Sequence, residues 1–145
     1  MAKLSMSRAE REAFLADTHV AMLAIADAER GPFLAPVWYW YEPGGAIHIV
    51  TGGATRKLGM IERSGRASLC AQTESMPYKY VSVEGPIEIA GAPDFDRDVR
   101  AVAIRYLGPQ VGEMYLAATT EMHETALLLR LHPERWNTAD FARFS

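Results

Sequence analysis

Short connections between the first predicted strands restrict this chain to a largely antiparallel sheet. Three apolar or β-branched segments, 19–26, 33–41 and 46–51, are separated only by brief turns, and 42–45 is a typical Glu-Pro-Gly-Gly hairpin turn. Parallel neighbours would need a crossover of about a dozen residues or more, usually a helix. The sequence therefore predicts a mainly β fold, an antiparallel barrel with peripheral helices.

The remaining elements follow from apolar periodicity and from capping residues. Ser7 and Glu10 have capping-box spacing and open a helix, and Asp94 is the predicted N-cap of a later helix that stops at Gly108. We predict helices 7–16, 58–64, 94–107 and 112–118, strands 66–73, 78–90 and 125–131, and an extension of the last strand over 134–138. The long strand 78–90 is expected to bend at Gly85-Pro86, since proline removes a ladder donor.

Composition narrows the functional classes. The 145 residues suit one domain, 1–145, and the chain is 49% hydrophobic and 23% charged with a net charge of −3. No basic stripe appears, so we expect no nucleic-acid partner and no membrane partner. The single cysteine, Cys70, lies in an apolar run and suits a core position in a reducing compartment. We see neither a signal peptide nor a membrane span and expect a cytoplasmic protein.

The segment after the third strand breaks a local rule of helix stability. Arg56 and Lys57 directly precede the predicted helix 58–64 and fall in its first turn when the helix is counted from its N-terminal end. The helix dipole there disfavours cations by about 0.3–1 kcal/mol each. An anion bound by the helix N–H groups, the Thr55 hydroxyl and both basic side chains would compensate. This pattern predicts a phosphate-binding turn; the alternative is two solvated surface cations.

The second strand carries a proline and two tryptophans. Pro36 indicates an edge, a bulge or a backbone that faces something other than a strand. The alternation of side chains along a strand puts Trp38 and Trp40 on the same face as Pro36. A flat ring could use free backbone groups and indole stacking there. The alternative is that these aromatics fill the barrel or a subunit interface. Together with the phosphate turn, the strand suggests a phosphorylated flat heterocycle.

Recognised catalytic patterns are absent from the sequence. There is no G-x-G-x-x-G, Walker or G-x-S-x-G motif, and the four histidines lack the spacing of metal ligands, so we expect no metal site. We identify no catalytic side chain. This pattern is consistent with chemistry that a bound cofactor supplies.

From about residue 7 to 140 the chain resembles the flavin-binding split-barrel family that contains pyridoxamine phosphate oxidase and the deazaflavin (F420)-dependent reductases. The resemblance depends on the order and spacing of several short segments, and no single one decides it. They are 19–26, 31–39, Val50-Thr51 with Thr55-Arg56-Lys57, 66–70, 80–85 and 133–136.

The resemblance implies an antiparallel split β-barrel of the FMN-binding type, in a homodimer with the cofactor at the subunit interface. It also implies roles for particular residues. Thr51, Thr55, Arg56 and Lys57 would hold the phosphate; the backbone of Pro36, Val37 and Trp38 would contact the ring; and Gln72, Tyr78 and Tyr80, with Trp136, are candidates for the contribution of the second subunit.

The implied activity is that of an FMN- or F420-dependent oxidoreductase that transfers a hydride to or from a small organic substrate. FMN is the first choice of cofactor, and F420 is the alternative. Authentic pyridoxamine phosphate oxidation is not expected, because basic residues for a substrate phosphate are missing outside the Arg56-Lys57 turn. Two other functions stay open, a non-catalytic flavin carrier or sensor and a haem-binding split barrel.

Overall fold

The structure, a computed structural model, describes residues 3–53 and 56–144. Its sheet contains eight strands: β1 (Ala21–Ile25), β2 (Phe33–Val37), β3 (Trp40–Tyr41), β4 (Ile47–Thr51), β5 (Arg66–Gln72), β6 (Lys79–Ile89), β7 (Leu127–Leu131) and β8 (Arg135–Asp140). The α-helices are α1 (Arg8–Ala16), α2 (Arg56–Ser64), α3 (Ala101–Leu107), α4 (Pro109–Ala118) and α5 (Thr120–Glu124). A π-helical segment, Phe95–Arg100, leads into α3, and a 3₁₀ turn, Phe141–Arg143, follows β8.

Every pair of neighbouring strands is antiparallel. The strand order is β2-β1-β5-β6-β7-β4-β3, and β8 pairs with β6 outside this path. The sheet forms a curled half-barrel with the helices around it, so the predicted mainly β, antiparallel split barrel is confirmed.

The long strand β6 joins the two parts of the sheet by changing its partner. On one side, residues 80–86 pair with β5; on the other, residues 79–84 pair with β8 and residues 87–89 pair with β7. The change falls at Gly85 and Pro86, where the sequence predicts a bend. A Cβ atom at Gly85 would lie well inside contact distance of the His132 carbonyl oxygen, so only glycine fits there.

The helices begin and end close to the predicted positions. Ser7 and Glu10 form the capping box of α1, Asp94 caps the π-helical segment, and α3 ends at Gly108 with φ 85°. The fourth helix was predicted to start at residue 112, but it starts at Pro109, which suits the first position of a helix. Helix α5 was not predicted.

Two predicted strands need correction. The segment 33–41 is interrupted after Val37, because the Tyr39 N–H donates to the Tyr106 hydroxyl (3.1 Å) instead of to a neighbouring strand. Residues 135–138 continue the direction of β7 along β6, as predicted, but a break at 132–134 that contains Pro133 separates them from it. They belong to β8, which pairs with residues 79–84 of β6, whereas β7 pairs with residues 87–89.

The core lies inside the curl. Leu15, Leu23, Tyr39, Ile49 and Leu131 are among its fully buried side chains. A second, smaller cluster joins Val99, Ala103 and Leu116 of the helical region to Trp38, Val50 and Tyr115. The segment 95–118 is therefore packed against β4 and the end of β2, and a cavity remains between them. No helix in the described part of the chain is long and apolar enough to cross a membrane.

Candidate functional site

The principal cavity lies between the ends of β2 and β4 and the helical segment 95–126, and its volume is about 410 Å³. Apolar and aromatic side chains form much of its wall, as in many small-molecule sites. It is lined by Val20, Pro36, Val37, Trp38, Tyr39, His48, Val50, Thr51, Gly52, Lys57, Asp98, Val99, Val102, Tyr115, Met122, His123 and Ala126.

Lys57 supplies the positive charge at one end of this cavity. The residue lies in the first turn of α2, as predicted, and Thr51 and Gly52 lie beside it on the cavity wall. The Lys57 side chain is half-buried, and this desolvation lowers its pKa. Its Nζ is 5.7 Å from the centroid of the Phe33 ring. An anion bound in the cavity would stabilise a half-buried ammonium group of this kind.

Arg56 has a different environment from Lys57, although the two are adjacent in sequence. Its Nη2 lies 2.7 Å from Oδ2 of Asp27, and Arg56 is not a cavity-lining residue. The pKa of Asp27 is lowered, first by the Glu29 N–H and then by Arg56. We predicted that both cations share one bound anion. In the structure Arg56 pairs with the Asp27 carboxylate, and only Lys57 of the two lines the cavity. Thr55, the fourth predicted phosphate residue, lies outside the described residues.

The predicted ring-binding strand borders the same cavity. Pro36, Val37 and Trp38 all line it. Within residues 3–53 and 56–144, β2 pairs only with β1 and is an edge strand, so the missing N–H of Pro36 costs no ladder bond to a further strand. The sequence and the structure agree that the edge of β2 is open to something other than a strand of the same chain.

The two tryptophans have packing partners of their own. Trp38 stacks on Tyr106 with ring centroids 4.9 Å apart and an interplanar angle of 8°, and it also contacts Tyr115. Trp40 does not line the cavity; it stacks on His48 and donates through Nε1 to Asp98. The alternative that these aromatics serve packing therefore holds for Trp40, whereas Trp38 is both packed and part of the cavity wall.

The residues expected from a second subunit lie elsewhere on the chain. Gln72 of β5 is opposite Tyr80 of β6 in the ladder, and Tyr78 precedes β6 and is half exposed. None of the three lines the cavity of its own chain. Trp136 packs against the core, with the Arg11 guanidinium 4.6 Å from its ring centroid. Contribution to a partner's site stays a prediction for all of them.

Asp98 and His48 lie on the cavity wall and were not predicted as site residues. Asp98 has a fully buried side chain that accepts from the Trp40 indole (2.9 Å) and pairs with Arg97. A signal was available, because Asp98 precedes Val102 by four residues and therefore lies on the apolar stripe of the predicted helix. A carboxylate at such a core position calls for partners. His48 gave no signal beyond its place in a strand.

Among the residues that the structure describes, no group of three histidine, cysteine, aspartate or glutamate side chains is arranged to hold a metal ion. The cavity offers instead one half-buried cation, hydroxyl and imidazole groups, and a flat aromatic wall. This combination suits an organic ligand that carries an anionic group.

Known proteins share the family and the fold of this chain. The sequence profile of the pyridoxamine 5'-phosphate oxidase family matches residues 7–140. The conserved hypothetical protein Rv2991 from Mycobacterium tuberculosis is similar over 97% of this chain and 89% of its own, with 26% identity and a TM-score of 0.78.

Two further solved structures share the fold at lower identity. A FAD-binding protein from Mesorhizobium loti is 18% identical over 95% of this chain and 96% of its own, with a TM-score of 0.64. An F420 reductase is 15% identical over 87% of this chain and 94% of its own, with a TM-score of 0.61. No curated protein matches the sequence significantly.

Proposed function

The chain belongs to the pyridoxamine 5'-phosphate oxidase family, and from this premise we propose that it is a flavin- or deazaflavin-dependent oxidoreductase acting on a small organic substrate. The observation that carries the proposal is the position of half-buried Lys57 beside Thr51, at the end of a cavity that continues along Pro36–Trp38. When bound, the isoalloxazine or deazaflavin ring would supply the hydride chemistry.

The residues present fit such a cofactor at both ends. Lys57 and the Thr51 hydroxyl would hold the phosphate, and burial alone accounts for the lowered pKa of Lys57, so its charge is not taken by a described carboxylate. Pro36, Val37 and Trp38 would lie along the ring. Because Tyr106 and Tyr115 pack against the Trp38 indole, this wall is fixed before a ligand enters, which lowers the entropic cost of binding.

FMN is the first choice of cofactor, with F420 as the alternative. The end of the cavity near α2 provides one half-buried cation, and Arg56 is engaged by Asp27. A single phosphate suits this arrangement, whereas the longer acidic tail of F420 would favour further basic residues. Authentic pyridoxamine phosphate oxidation is not part of the proposal, because that substrate would bring a second phosphate that needs cations of its own.

We propose a homodimer with the cofactor at the interface, because one face of the sheet is uncovered and largely uncharged. The register of β2, β1, β5 and β6 puts Leu34, Pro36, Met22, Cys70 and Tyr80 on this face. Leu34 is 62% exposed and Met22 is 38% exposed. Pro36 belongs to both this face and the cavity, so a second copy placed there would border the cofactor site. We also propose a cytoplasmic location, since a single free cysteine suits a reducing compartment.

Two alternatives give different observations. A flavin carrier or sensor would bind the cofactor without accelerating the reduction of any substrate. A haem-binding split barrel would need an axial ligand. His48 and His123 line the cavity, but no pattern in the sequence marks either of them as a haem ligand. The family match favours neither.

The test is an absorbance spectrum of the purified protein followed by separate titrations with FMN, F420 and haem. The proposal expects saturable binding of FMN or F420, and oxidation of the reduced cofactor that a conjugated substrate accelerates. Binding of a flavin with no such acceleration by any acceptor would favour the carrier. A Soret band with no flavin binding would contradict the proposal.

A further inference from the structure

The imidazole of His48 is held rigidly on the cavity wall. His48 lies near the start of β4, and Thr51 ends the same strand. It stacks on the Trp40 indole with ring centroids 3.8 Å apart and an interplanar angle of 4°. His48 and Trp40 are direct partners in the β3–β4 ladder, so the backbone fixes both rings as well. A side chain with this little rotational freedom loses little entropy when it binds a ligand.

Asp98 holds the stack in place through a direct hydrogen bond to Trp40. Its Oδ1 accepts from Trp40 Nε1 and from Arg97 Nε, both at 2.9 Å. Its Oδ2 accepts from the Asp94 N–H (2.8 Å) and from Arg97 Nη2 (3.0 Å). Because both oxygens already have partners, Asp98 acts on a ligand only by fixing Trp40 and, through it, His48.

The two nitrogens of His48 differ in their surroundings. Nδ1 is buried and makes no hydrogen bond of normal geometry to the described residues. The Ala46 carbonyl lies close enough to the ring to affect its pKa, but Nδ1 is buried away from any ligand, and we assign the proton of the neutral ring to Nε2. Nε2 is then the nitrogen that can donate to a ligand.

Several charged groups surround His48. Burial has the largest effect and lowers its pKa; Asp98 opposes this, Arg130 on the adjacent β7 and Arg97 lower it further, and the Ala46 carbonyl raises it slightly. The ordinary value for histidine is about 6.5, so the ring is neutral at pH 7. A neutral imidazole adds no charge to the wall, so the part of a ligand that meets His48 is favoured when it is uncharged.

We propose that His48 donates a hydrogen bond to an oxygen of a planar, uncharged, conjugated ligand bound in this cavity, and that Trp40 and Asp98 are positioning residues for it. The ligand would lie against Val50, Val99 and Val102, which line the same cavity as His48. The inference rests on the proposed function, since it takes this ligand to be the substrate that meets the ring of the cofactor.

Two flat compounds of nearly equal shape test the proposal. 2-Methyl-1,4-naphthoquinone carries two carbonyl acceptors, and 2-methylnaphthalene carries none. Both are titrated at pH 7 into protein loaded with oxidised FMN. Wild type is expected to prefer the quinone by about tenfold, the effect of roughly one hydrogen bond. FMN binding is measured first on each sample, so that a protein that binds no flavin contradicts the proposed function rather than this inference.

The variants separate recognition from packing. His48→Phe keeps the stack on Trp40 but removes the donor, and it should abolish the preference while leaving the affinity for 2-methylnaphthalene within about twofold. His48→Gln keeps a donor and should retain part of the preference. Trp40→Phe and Asp98→Asn should reduce the preference by about two- to fivefold, an effect on a ratio that simple destabilisation would not produce.

An unaltered preference in His48→Phe would overturn the assignment of the donor. Equal loss of both compounds in that variant would also overturn it, because the residue would then only shape the cavity. A normal preference in Trp40→Phe and in Asp98→Asn would overturn the positioning roles alone. Lowering the pH from 7 to about 5 should not weaken quinone binding, because a protonated His48 still donates through Nε2.

Discussion

At the scale of single residues, two adjacent cations have separate roles in this chain. Lys57 borders the cavity and is half-buried, whereas Arg56 is held by Asp27 at 2.7 Å. A cation without a carboxylate partner in a partly desolvated position is the better anion ligand of the two. Arg56 then contributes mainly by anchoring the start of α2 to the chain after β1.

Substituting Asp27 tests this division. In Asp27→Asn the amide oxygen can still accept from the Glu29 N–H, but the negative charge beside Arg56 is gone. We expect the affinity for FMN to rise by about 1.5- to 5-fold, because the charge of Arg56 is then no longer neutralised by a carboxylate. Fluorescence titration measures it. A lower affinity in the variant would show that the ion pair supports the site.

The pH dependence of this ion pair has a definite sign. The pKa of Asp27 is lowered in the folded chain, so its contribution to stability is present above the unfolded value and is lost as the pH falls through the folded value. That window lies below about pH 4, the ordinary value for aspartate. The difference in the free energy of unfolding between Asp27→Asn and wild type should therefore stay constant from about pH 5 to about pH 8, as measured by chemical denaturation.

Residue positions that depend on near neighbours in the sequence could be predicted, whereas contacts between residues far apart in the sequence could not. The first-turn position of Lys57 and the strand position of Pro36 are local, and both emerged from the pattern. Asp27 lies 29 residues before Arg56, and Asp98 lies 58 residues after Trp40. No local rule pairs such residues, because the fold alone brings them together.

At the scale of elements, the change of partner along β6 determines how the sheet curls. Residues 79–84 lie between β5 and β8, and residues 87–89 pair with β7. Gly85 stands at the junction, where the His132 carbonyl approaches its Cα too closely for a side chain. The close approach lets β7 and β8 take opposite halves of one strand.

Gly85→Ala should therefore destabilise the protein by about 2 kcal/mol or more, because the added methyl group meets backbone rather than a flexible side chain. Chemical denaturation gives the free energy of unfolding. Gly31→Ala is the matched control, since an added Cβ there meets nothing within 4 Å and the turn is exposed. Equal stability of the two variants would contradict the role given to Gly85.

Elements with strong local signals were predicted closely. The capping box of α1, the stop at Gly108 and the hairpin turn at 42–45 each depend on neighbouring residues. The break after Val37 was not predictable in the same way, because the Tyr106 hydroxyl that accepts from Tyr39 lies 67 residues away. The extension past Pro133 was predicted over 134–138, but its pairing with the first half of β6 was not, because that partner lies more than fifty residues earlier.

At the scale of the whole molecule, the proposed dimer interface connects the sheet to the cofactor site. The uncovered face around Leu34 and Met22 is apolar, and Pro36 links it to the cavity. Faces of this kind on soluble proteins are commonly interaction surfaces. The residues proposed for the second half of the site, Gln72 and Tyr80, lie on the same face by ladder register.

Leu34→Glu should dissociate the dimer, since an unpaired charge buried in an interface costs about 3–5 kcal/mol. Sedimentation equilibrium measures the association constant, which we expect to fall by about 100-fold or more, and flavin affinity should fall with it. Met114→Glu is the control, because Met114 is 65% exposed on α4 and lies outside this face. A dimeric Leu34→Glu protein would place the interface elsewhere.

The proposed function depends above all on Lys57 as the ligand of a flavin phosphate in this cavity. The most direct test compares the affinities of FMN and riboflavin, which differ only by that phosphate, in wild type, Lys57→Ala and Arg63→Ala. Arg63 is an exposed cation in the last turn of the same helix and serves as the control. Loss of a charge-assisted contact is worth about 1.5–3 kcal/mol, so Lys57→Ala should weaken FMN binding by about 10- to 150-fold and leave riboflavin binding unchanged. Equal FMN affinity in Lys57→Ala and wild type would contradict the account.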